Sequence, residues 1–138
     1  YEAMHVPLGL ANGSLSMPAI DTVRLFSKFE QNSSGLFENP TTLDQFRFKV
    51  AAGRNRGTFV TTDALKREIC SHNGGITGGG ALAFYRDDGL AVAMSVNCDI
   101  PKGVGRSPLN MSEEGVALIL IADSIAVWPT QDLFPEYV

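Results

Sequence analysis

Two apolar segments joined by a short acidic turn constrain the fold of this chain more than any other feature. Residues 81–85 and 90–96 flank Arg86-Asp87-Asp88-Gly89, and an Asp-Gly pair between two apolar runs is typical of a tight β-hairpin turn. Both arms are continuously apolar, which is typical of strands covered on both faces. We therefore expect these arms to lie in the centre of an antiparallel sheet.

A glycine-rich stretch with a histidine at its start precedes the hairpin. Five of the seven residues from 74 to 80 are glycine, which lets the backbone approach another group closely and leaves its N–H donors uncovered. The sequence disfavours a phosphate-binding loop, because no Lys-Ser or Lys-Thr follows and the stretch leads from strand to strand. His72 by itself is more typical of a strand-end histidine that is hydrogen-bonded to the backbone than of a functional residue, so its surroundings must decide.

Composition favours one folded unit without cofactors. The 138 residues are 44% hydrophobic and 19% charged, with a formal net charge of −4, which argues against a nucleic-acid or anionic-membrane surface. We interpret Arg54-Asn55-Arg56 and Lys66-Arg67 as solvated surface. Cys70-Ser71-His72 has no second ligand pair in sight, so we predict neither a metal site nor any other cofactor.

Helices are predicted before and after the strands in the sequence. After an irregular lead-in (1–15), Ser16 reads as the N-cap of a helix over 17–30, with Ile20, Val23 and Phe26 on its apolar face. Asn39-Pro40 begins a shorter helix to about residue 48. The helical part is thus 16–48, and after a loop at 53–57 the strands occupy 58–97, beginning with a short strand at 58–62.

A final helix is predicted over 112–128. Ser112 reads as its N-cap and Glu113 and Glu114 lie in its first turn. The apolar run 116–128 contains Asp123 and is shorter than the roughly 20 residues that span a bilayer, so we expect a buried helix packed over the sheet. No repeat or low-complexity linker divides the chain, and residues 1–138 are predicted to form a single α+β unit.

The order of these elements, with three motifs, resembles the C-terminal portion of the serine β-lactamase-related family. This family contains class C β-lactamase-like esterases, D-aminopeptidases and penicillin-binding-protein-like hydrolases. The motifs are Gly13-Ser14-Leu15-Ser16-Met17-Pro18-Ala19-Ile20-Asp21, His72-Asn73-Gly74, which matches the family's His-x-Gly or Lys-Thr-Gly triplet, and Leu90-Ala91-Val92-Ala93-Met94-Ser95-Val96-Asn97. The resemblance covers most of residues 9–128.

The resemblance implies an acyl-transfer site on the strand that carries His72. It implies an antiparallel sheet with the C-terminal helix packed on it, as in the β-lactamase/transpeptidase-like fold, with the triplet on the active-site edge strand. His72 would face the substrate carboxylate or the proton network of the nucleophile, and the N–H of Gly75 would be one of two oxyanion-hole donors. The implied substrate-binding residues are Asn73, Gly74, Ile76 and Thr77. The family's strand order also separates Cys70 from Cys98, which implies two unbridged thiols.

The family's nucleophile motifs are absent from this sequence. There is no Ser-x-x-Lys, and Tyr1, Tyr85 and Tyr137 begin no Tyr-x-Asn. Ser95-Val96-Asn97 fits Ser-x-Asn by letters but belongs to a hairpin arm. Nucleophile and base act as a unit, so we expect the chain to be inert alone. Because it begins at Tyr1, we expect a processed chain whose partner is the N-terminal chain of the same precursor, acting on a small acyl, ester or peptide substrate.

Two alternatives remain open from the sequence. The chain could be a non-catalytic β-lactamase-like binding or scaffold module, or an unrelated small α+β binding protein whose glycine-rich loop contacts a ligand through backbone N–H groups. Sequons at Asn12, Asn32 and Asn110 favour a secreted or periplasmic location.

Overall fold

The computed structural model describes residues 17–30, 39, 41–42, 49–76, 79–97, 109 and 111–131. Two helices and six strands are described. In chain order these are α1 (Ala19–Glu30), β1 (Lys49–Ala51), β2 (Arg54–Asn55), β3 (Phe59–Thr62), β4 (Glu68–Ile76), β5 (Gly79–Arg86), β6 (Ala91–Val96), a π-helical turn (Met111–Gly115) and α2 (Val116–Asp123). The α+β class predicted from the sequence is therefore confirmed.

The six strands form one antiparallel sheet in the order β1-β2-β3-β4-β5-β6. The predicted hairpin is confirmed as β5 and β6. Its turn is closed by the Arg86 N–H, which donates to the Leu90 carbonyl at 2.8 Å, and by the Gly89 N–H, which donates to the Arg86 carbonyl at 2.9 Å. Gly89 has a φ of 98°, a conformation that favours glycine.

The central position predicted for both hairpin arms is correct for β5 only. Residues 82–86 of β5 are all buried, whereas β6 ends the described sheet and its residues are half-buried or exposed. The continuous apolar runs therefore predicted that both faces of a strand are covered, but they did not predict whether the strand has a neighbouring strand on each edge.

The two helices lie on opposite faces of the sheet. Phe84 is fully buried and packs with Ile69 of β4 and Ile119 of α2. The next residue along β5, Tyr85, points to the other face because side chains alternate along a strand. There its ring meets that of Phe26 of α1, with centroids 6.0 Å apart. The sheet is thus covered by α2 on one side and by α1 on the other.

A β-hairpin occupies part of the segment predicted as loop. The prediction of a short strand at 58–62 is confirmed by β3, but the loop prediction for 53–57 is wrong at Arg54–Asn55, which pair as β2. The buried Asn55 explains the difference, because its Oδ1 accepts hydrogen bonds from the Gly57 N–H at 3.0 Å and the Thr58 N–H at 2.6 Å. A side-chain acceptor therefore closes this turn.

The helix boundaries differ from the predictions mainly at the C-terminal end. α1 begins at Ala19, and the predicted cap at Asn39 is confirmed by the Thr41 N–H, which donates to Asn39 Oδ1 at 2.9 Å. The predicted helix over 112–128 instead starts as a π-helical turn, and α2 ends at Asp123, where the Ser124 hydroxyl donates to the Ile121 carbonyl at 2.7 Å.

The prediction that this helix is buried is also wrong for half of its surface. Ile119 and Ala122 are buried, but Leu120 and Ile121 are 66% and 61% exposed.

Several other predictions concern residues outside the described ranges. These are the lead-in 1–15, the Ser16 cap, the helix over 43–48, Cys98 and the three sequon asparagines Asn12, Asn32 and Asn110.

An ion cluster joins the end of β5 to the end of α2. Arg86, whose side chain is 5% exposed, donates through Nη2 to Asp123 Oδ1 and through Nε to Asp88 Oδ1, both at 2.8 Å. Arg67 donates through Nη2 to Asp123 Oδ2 and through Nε to Asp63 Oδ2, both at 2.6 Å. Two guanidinium groups thus hold three carboxylates around one end of the sheet.

The cluster lowers the pKa of its carboxyl groups. The hydrogen bonds from Arg67 and then from Arg86 lower the pKa of Asp123 to about 2. The hydrogen bond from Arg86 likewise lowers the pKa of Asp88. Because these pKa values are lower in the folded state, the unfolded chain takes up protons first as the pH falls. The stability contributed by Asp123 is therefore present above its unfolded pKa and lost as the pH falls to about 2.

We expect Asp123→Asn to destabilise the protein at pH 6, with a difference from the unsubstituted chain that shrinks steadily toward pH 2. The measurement is the urea midpoint followed by circular dichroism across this range. Asp21→Asn is the control, because Asp21 lies outside the cluster, in the first turn of α1, and forms an exposed 3.7 Å ion pair with Arg24; exposed pairs contribute little. A pH-independent effect of Asp123→Asn would contradict the role given to its charge.

We expect Phe84→Ala to lower the free energy of unfolding by about 3–5 kcal/mol, because it leaves a cavity in the centre of the core. Leu65→Ala is the matched control, since Leu65 is 71% exposed and its truncation should change stability by no more than about 0.5 kcal/mol. Urea denaturation measures both, and similar costs for the two variants would refute the described core.

Candidate functional site

Five of the six residues that the sequence analysis assigned to a site are consecutive positions of β4. His72, Asn73, Gly74, Gly75 and Ile76 form the last five positions of Glu68–Ile76. Thr77 lies outside the described residues. Strand alternation places His72 and Gly74 on the face that α1 covers further along the sheet, and places Asn73 on the opposite face. The predicted residues therefore share a strand but not a face.

The interior position of β4 corrects the prediction of an edge strand. β4 lies between β3 and β5 in the sheet. However, β3 pairs with β4 only from Thr62↔Glu68 to Phe59↔Ser71, whereas β5 pairs with it as far as Ile76↔Gly79. No described strand pairs with β4 on the β3 side beyond Ser71. Among the described strands, the half of β4 that begins at His72 is therefore a local edge, and we call residues 72–76 the open edge.

His72 is exposed at the start of this open edge, beside two residues from β2 and β3. Its ring centroid lies 6.0 Å from that of Phe59, with 39° between the ring planes. The Arg54 guanidinium lies 4.7 Å from the centroid of Phe59, within the distance of a cation–π contact. A guanidinium, an aromatic ring and an imidazole thus form a short row where β3 begins.

The sequence analysis missed Arg54 and Phe59 as possible site residues. It interpreted Arg54 as part of a solvated basic cluster and Phe59 as an ordinary strand residue. The register of the β2–β3 hairpin pairs Arg54 with Phe59, and this brings both beside the middle of β4, where Phe59 pairs with Ser71. The Asn-x-Gly turn at Asn55 was the local signal that could have predicted this hairpin.

Asn73 contacts the segment that precedes α2. Its Nδ2 donates to the Leu109 carbonyl at 2.6 Å, and Leu109 is 3% exposed. A hydrogen bond to a backbone carbonyl at a buried residue fixes the position of both groups. Asn73 therefore anchors this segment to the face of β4 opposite His72.

Gly74 and Gly75 leave open space along the strand. Both are exposed, and a Cβ built on Gly74 meets no heavy atom within 4 Å. Backbone strain does not require glycine at position 74, because its φ is not in the left-handed region. The missing side chain at Gly74 therefore leaves room for another group to lie against the backbone of β4.

Neither described cavity adjoins His72. One, of about 320 Å³, is lined by residues that include Gly53, Val60 and Glu68. The other, of about 550 Å³, is bordered by Arg86 and Trp128. Within the described part of the chain, His72 is therefore exposed at the surface and does not line either cavity.

The described ranges contain no candidate metal site. No three His, Cys, Asp or Glu side chains there come together as metal ligands. Cys70 is buried, and the Asn55 amide donates to its Sγ at 3.7 Å. Neither of the two helices described is long and apolar enough to cross a membrane.

Comparison with known proteins gives no family assignment. No protein-family model, no curated protein and no solved structure matches the chain. The functional interpretation therefore depends on the open edge, the residues beside it and the motifs in the sequence.

We expect Gly74→Ala to change the free energy of unfolding by less than about 1 kcal/mol, because the added methyl group meets no neighbour. The comparison is Gly89→Ala, where the φ of 98° strains any residue with a Cβ and should cost about 1 kcal/mol or more. Urea denaturation of both variants measures the difference. A larger loss at Gly74 than at Gly89 would show that the space beside β4 is occupied.

Proposed function

We propose that this protein is the C-terminal chain of a serine β-lactamase-like acyl hydrolase of the esterase, amidase/peptidase or β-lactamase type. In this proposal the chain contributes the His-x-Gly strand and half of the oxyanion hole, and a second chain carries the nucleophile. The observation that supports it most is that the pairing of β3 with β4 stops at Ser71 of β4, which leaves an open edge beginning at His72. The proposal includes a β-lactamase-like fold for the complete molecule and a secreted or periplasmic location.

The open edge suits an extended acyl substrate. A substrate chain placed beside residues 72–76 can exchange backbone hydrogen bonds with them, as in strand addition. Gly74 presents no side chain that would hold such a substrate away. In this arrangement the N–H of Gly75 is one of two donors to the developing oxyanion, and the other is the N–H of the attacking serine.

His72 and Arg54 supply polar and charged groups beside the open edge. The exposed imidazole of His72 can donate to or accept from a substrate carboxylate or the proton network of the nucleophile. Arg54, across the Phe59 ring, adds a permanent positive charge. These two groups favour substrates that carry an anionic group near the acyl centre. Asn73 contributes by holding Leu109 in place through the hydrogen bond from its amide. In this proposal the Asn73 side chain therefore positions the neighbouring segment and does not contact the substrate directly.

The partner is the N-terminal chain of the same precursor, which in this proposal carries Ser-x-x-Lys and Tyr-x-Asn. Neither motif occurs within the 138 residues. A nucleophile and its base act as a unit, so one oxyanion donor and a histidine give little catalysis without them. The small acyl, ester or peptide substrate therefore binds between two chains.

We expect the isolated chain not to react with a fluorophosphonate or a fluorescent penicillin, since both probes acylate or phosphonylate an activated serine. Expression of the whole precursor should give a labelled larger chain. In that complex His72→Ala should slow labelling on the order of 10²-fold, with Thr61→Ala on the exposed surface of β3 as the control. Labelling of the isolated chain, or full reactivity of the His72→Ala complex, would refute the proposal.

A non-catalytic binding module is the second candidate function. It is favoured by the same open edge together with the absence of the nucleophile motifs from the sequence. An exposed row of backbone N–H and C=O groups binds extended peptides without any chemistry. The probe experiment separates the two candidates, because a binding module leaves every chain of the preparation unlabelled.

A further inference from the structure

A cavity lies at the β5–β6 turn, where this turn meets α1 and the residues at the end of α2. Its volume is about 550 Å³, which falls in the range of about 300–1,000 Å³ that is usual for small-molecule sites. We call it the turn cavity. The side chains of its apolar part come from all three elements and are Val23, Leu90, Ala91, Ala122, Ile125 and Trp128.

The apolar part of the turn cavity suits a flat hydrophobic molecule. Val23 and Leu90 are half-buried, and Trp128 is 53% exposed. A molecule seated in the cavity would take this apolar surface out of water, which stabilises the complex. An indole ring packs well against other aromatic rings in offset-stacked or edge-to-face geometry. The apolar part therefore favours a ligand with an aromatic body.

The polar part of the turn cavity contains two arginines that lie side by side. Arg67 and Arg86 both line the cavity. Both also donate to Asp123 Oδ1, at 3.3 Å from Arg67 Nη1 and at 2.8 Å from Arg86 Nη2. A guanidinium group carries hydrogen-bond donors only. An acceptor oxygen that enters the cavity therefore meets two neighbouring guanidinium groups.

Both guanidinium groups have donors that the described part of the chain satisfies incompletely. Arg86 Nη1 is buried and forms no hydrogen bond there; its ion pair with Asp63 Oδ2 has a distance of 3.9 Å. Arg67 Nη1 reaches Asp88 at 3.4 Å and Asp123 at 3.3 Å, and both distances exceed the usual range of about 2.7–3.2 Å. A buried donor without a hydrogen bond costs free energy, so a further acceptor is favoured here.

The charges of these groups favour an uncharged acceptor. The carboxylates of Asp88 and Asp123 already accept hydrogen bonds of 2.6–2.8 Å from the two arginines, so they do not select a cation. With Asp63 included, two positive and three negative charges sum to −1, and this sum disfavours an added negative charge. A carbonyl oxygen accepts a hydrogen bond without adding any charge.

We propose that the turn cavity binds an uncharged small molecule that has an aromatic body and a carbonyl oxygen. The oxygen accepts hydrogen bonds from the guanidinium groups of Arg67 and Arg86, and the body lies against Leu90 and Trp128. The inference does not rest on the proposed function. The turn cavity adjoins Arg86 at the last position of β5, whereas the open edge pairs with residues 79–83 at the other end of that strand.

Three probes that differ in one group test the ligand class. They are methyl naphthyl ketone, naphthoate, in which a carboxylate replaces the ketone, and isopropenylnaphthalene, in which a CH₂ group replaces the ketone oxygen. We expect the ketone to bind about tenfold more tightly than either of the others, because it alone supplies an uncharged acceptor to the charged donors. Isothermal titration calorimetry measures the dissociation constants. The emission of Trp128, the single tryptophan of the chain, should change on binding.

Two variants at one position connect the binding to the turn cavity. Ser27 lines the cavity from α1 and is half-buried, and its hydroxyl donates to the Arg24 carbonyl at 2.9 Å. Ser27→Leu places a larger side chain in the cavity and should weaken ketone binding about tenfold through the clash with the ligand. Ser27→Ala is the matched control, because it loses the same hydroxyl without adding volume, and it should bind as the unsubstituted chain does. Both variants should keep the far-ultraviolet circular dichroism of the unsubstituted chain.

Four results would overturn the proposal. These are neither heat nor a change in Trp128 emission with any probe, equal binding of the ketone and isopropenylnaphthalene, tighter binding of naphthoate than of the ketone, and undiminished binding of the ketone to Ser27→Leu. The second result would remove the need for an acceptor, and the third would identify an anion site. The fourth would place the ligand elsewhere on the chain.

Discussion

Burial of β5 on both faces is the constraint on which the other elements depend. Phe84 packs with Ile69 and Ile119 on one face, and Tyr85 meets Phe26 on the other. One strand thus fixes both helices. The hairpin turn ending at Gly89 sets the register of β5 against β6, and a slip of one residue would exchange the two faces of the strand. Such a slip would also remove His72 from its position opposite Ala83, so the open edge depends on the same packing.

Arg86 extends this constraint from the core to the ends of the elements. It follows Tyr85 on β5, yet its side chain is only 5% exposed and lies among Asp63, Asp88 and Asp123. A buried guanidinium without its carboxylates is strongly destabilising, whereas a complete cluster is tolerated. The aspartates therefore contribute little net stability. Their role is that Arg86 is tolerated in its buried position only when α2 and the β5–β6 turn both bring their carboxylates to it. This fixes where α2 ends.

The features predicted correctly from the sequence are those that a short segment determines by itself. The β5–β6 hairpin follows from Asp88-Gly89 and two apolar runs, and the cap at Asn39 follows from local hydrogen bonding. The incorrect predictions depend on which segments meet. β2 was assigned to a loop because its pairing depends on the Asn55 side chain, and α2 was predicted to be buried because hydrophobicity does not reveal whether a covering surface belongs to the same chain.

The same distinction applies to the candidate site. That residues 72–76 lie together on one strand was predictable from the His-Asn-Gly triplet and the hairpin that follows it. Their local edge was not, because it requires the pairing of β3 with β4 to go no further than Phe59↔Ser71. Nor was the contact of Arg54 with Phe59 predictable, because it requires the register of a two-residue strand. A site predicted from the His-Asn-Gly triplet alone would therefore have omitted the Arg54 guanidinium, which lies against the Phe59 ring beside His72.

The two faces of β4 differ in what a partner at the open edge would meet. His72 lies on the face of β4 that shares its side with Tyr85 and α1, whereas Asn73 lies on the face on which α2 packs with Phe84. A strand added beside residues 72–76 would therefore have the exposed imidazole of His72 on one side and the hydrogen bond from Asn73 to Leu109 on the other. A partner that acts on a substrate bound there would reach it from the His72 face, because the chain's own Leu109 lies on the opposite face.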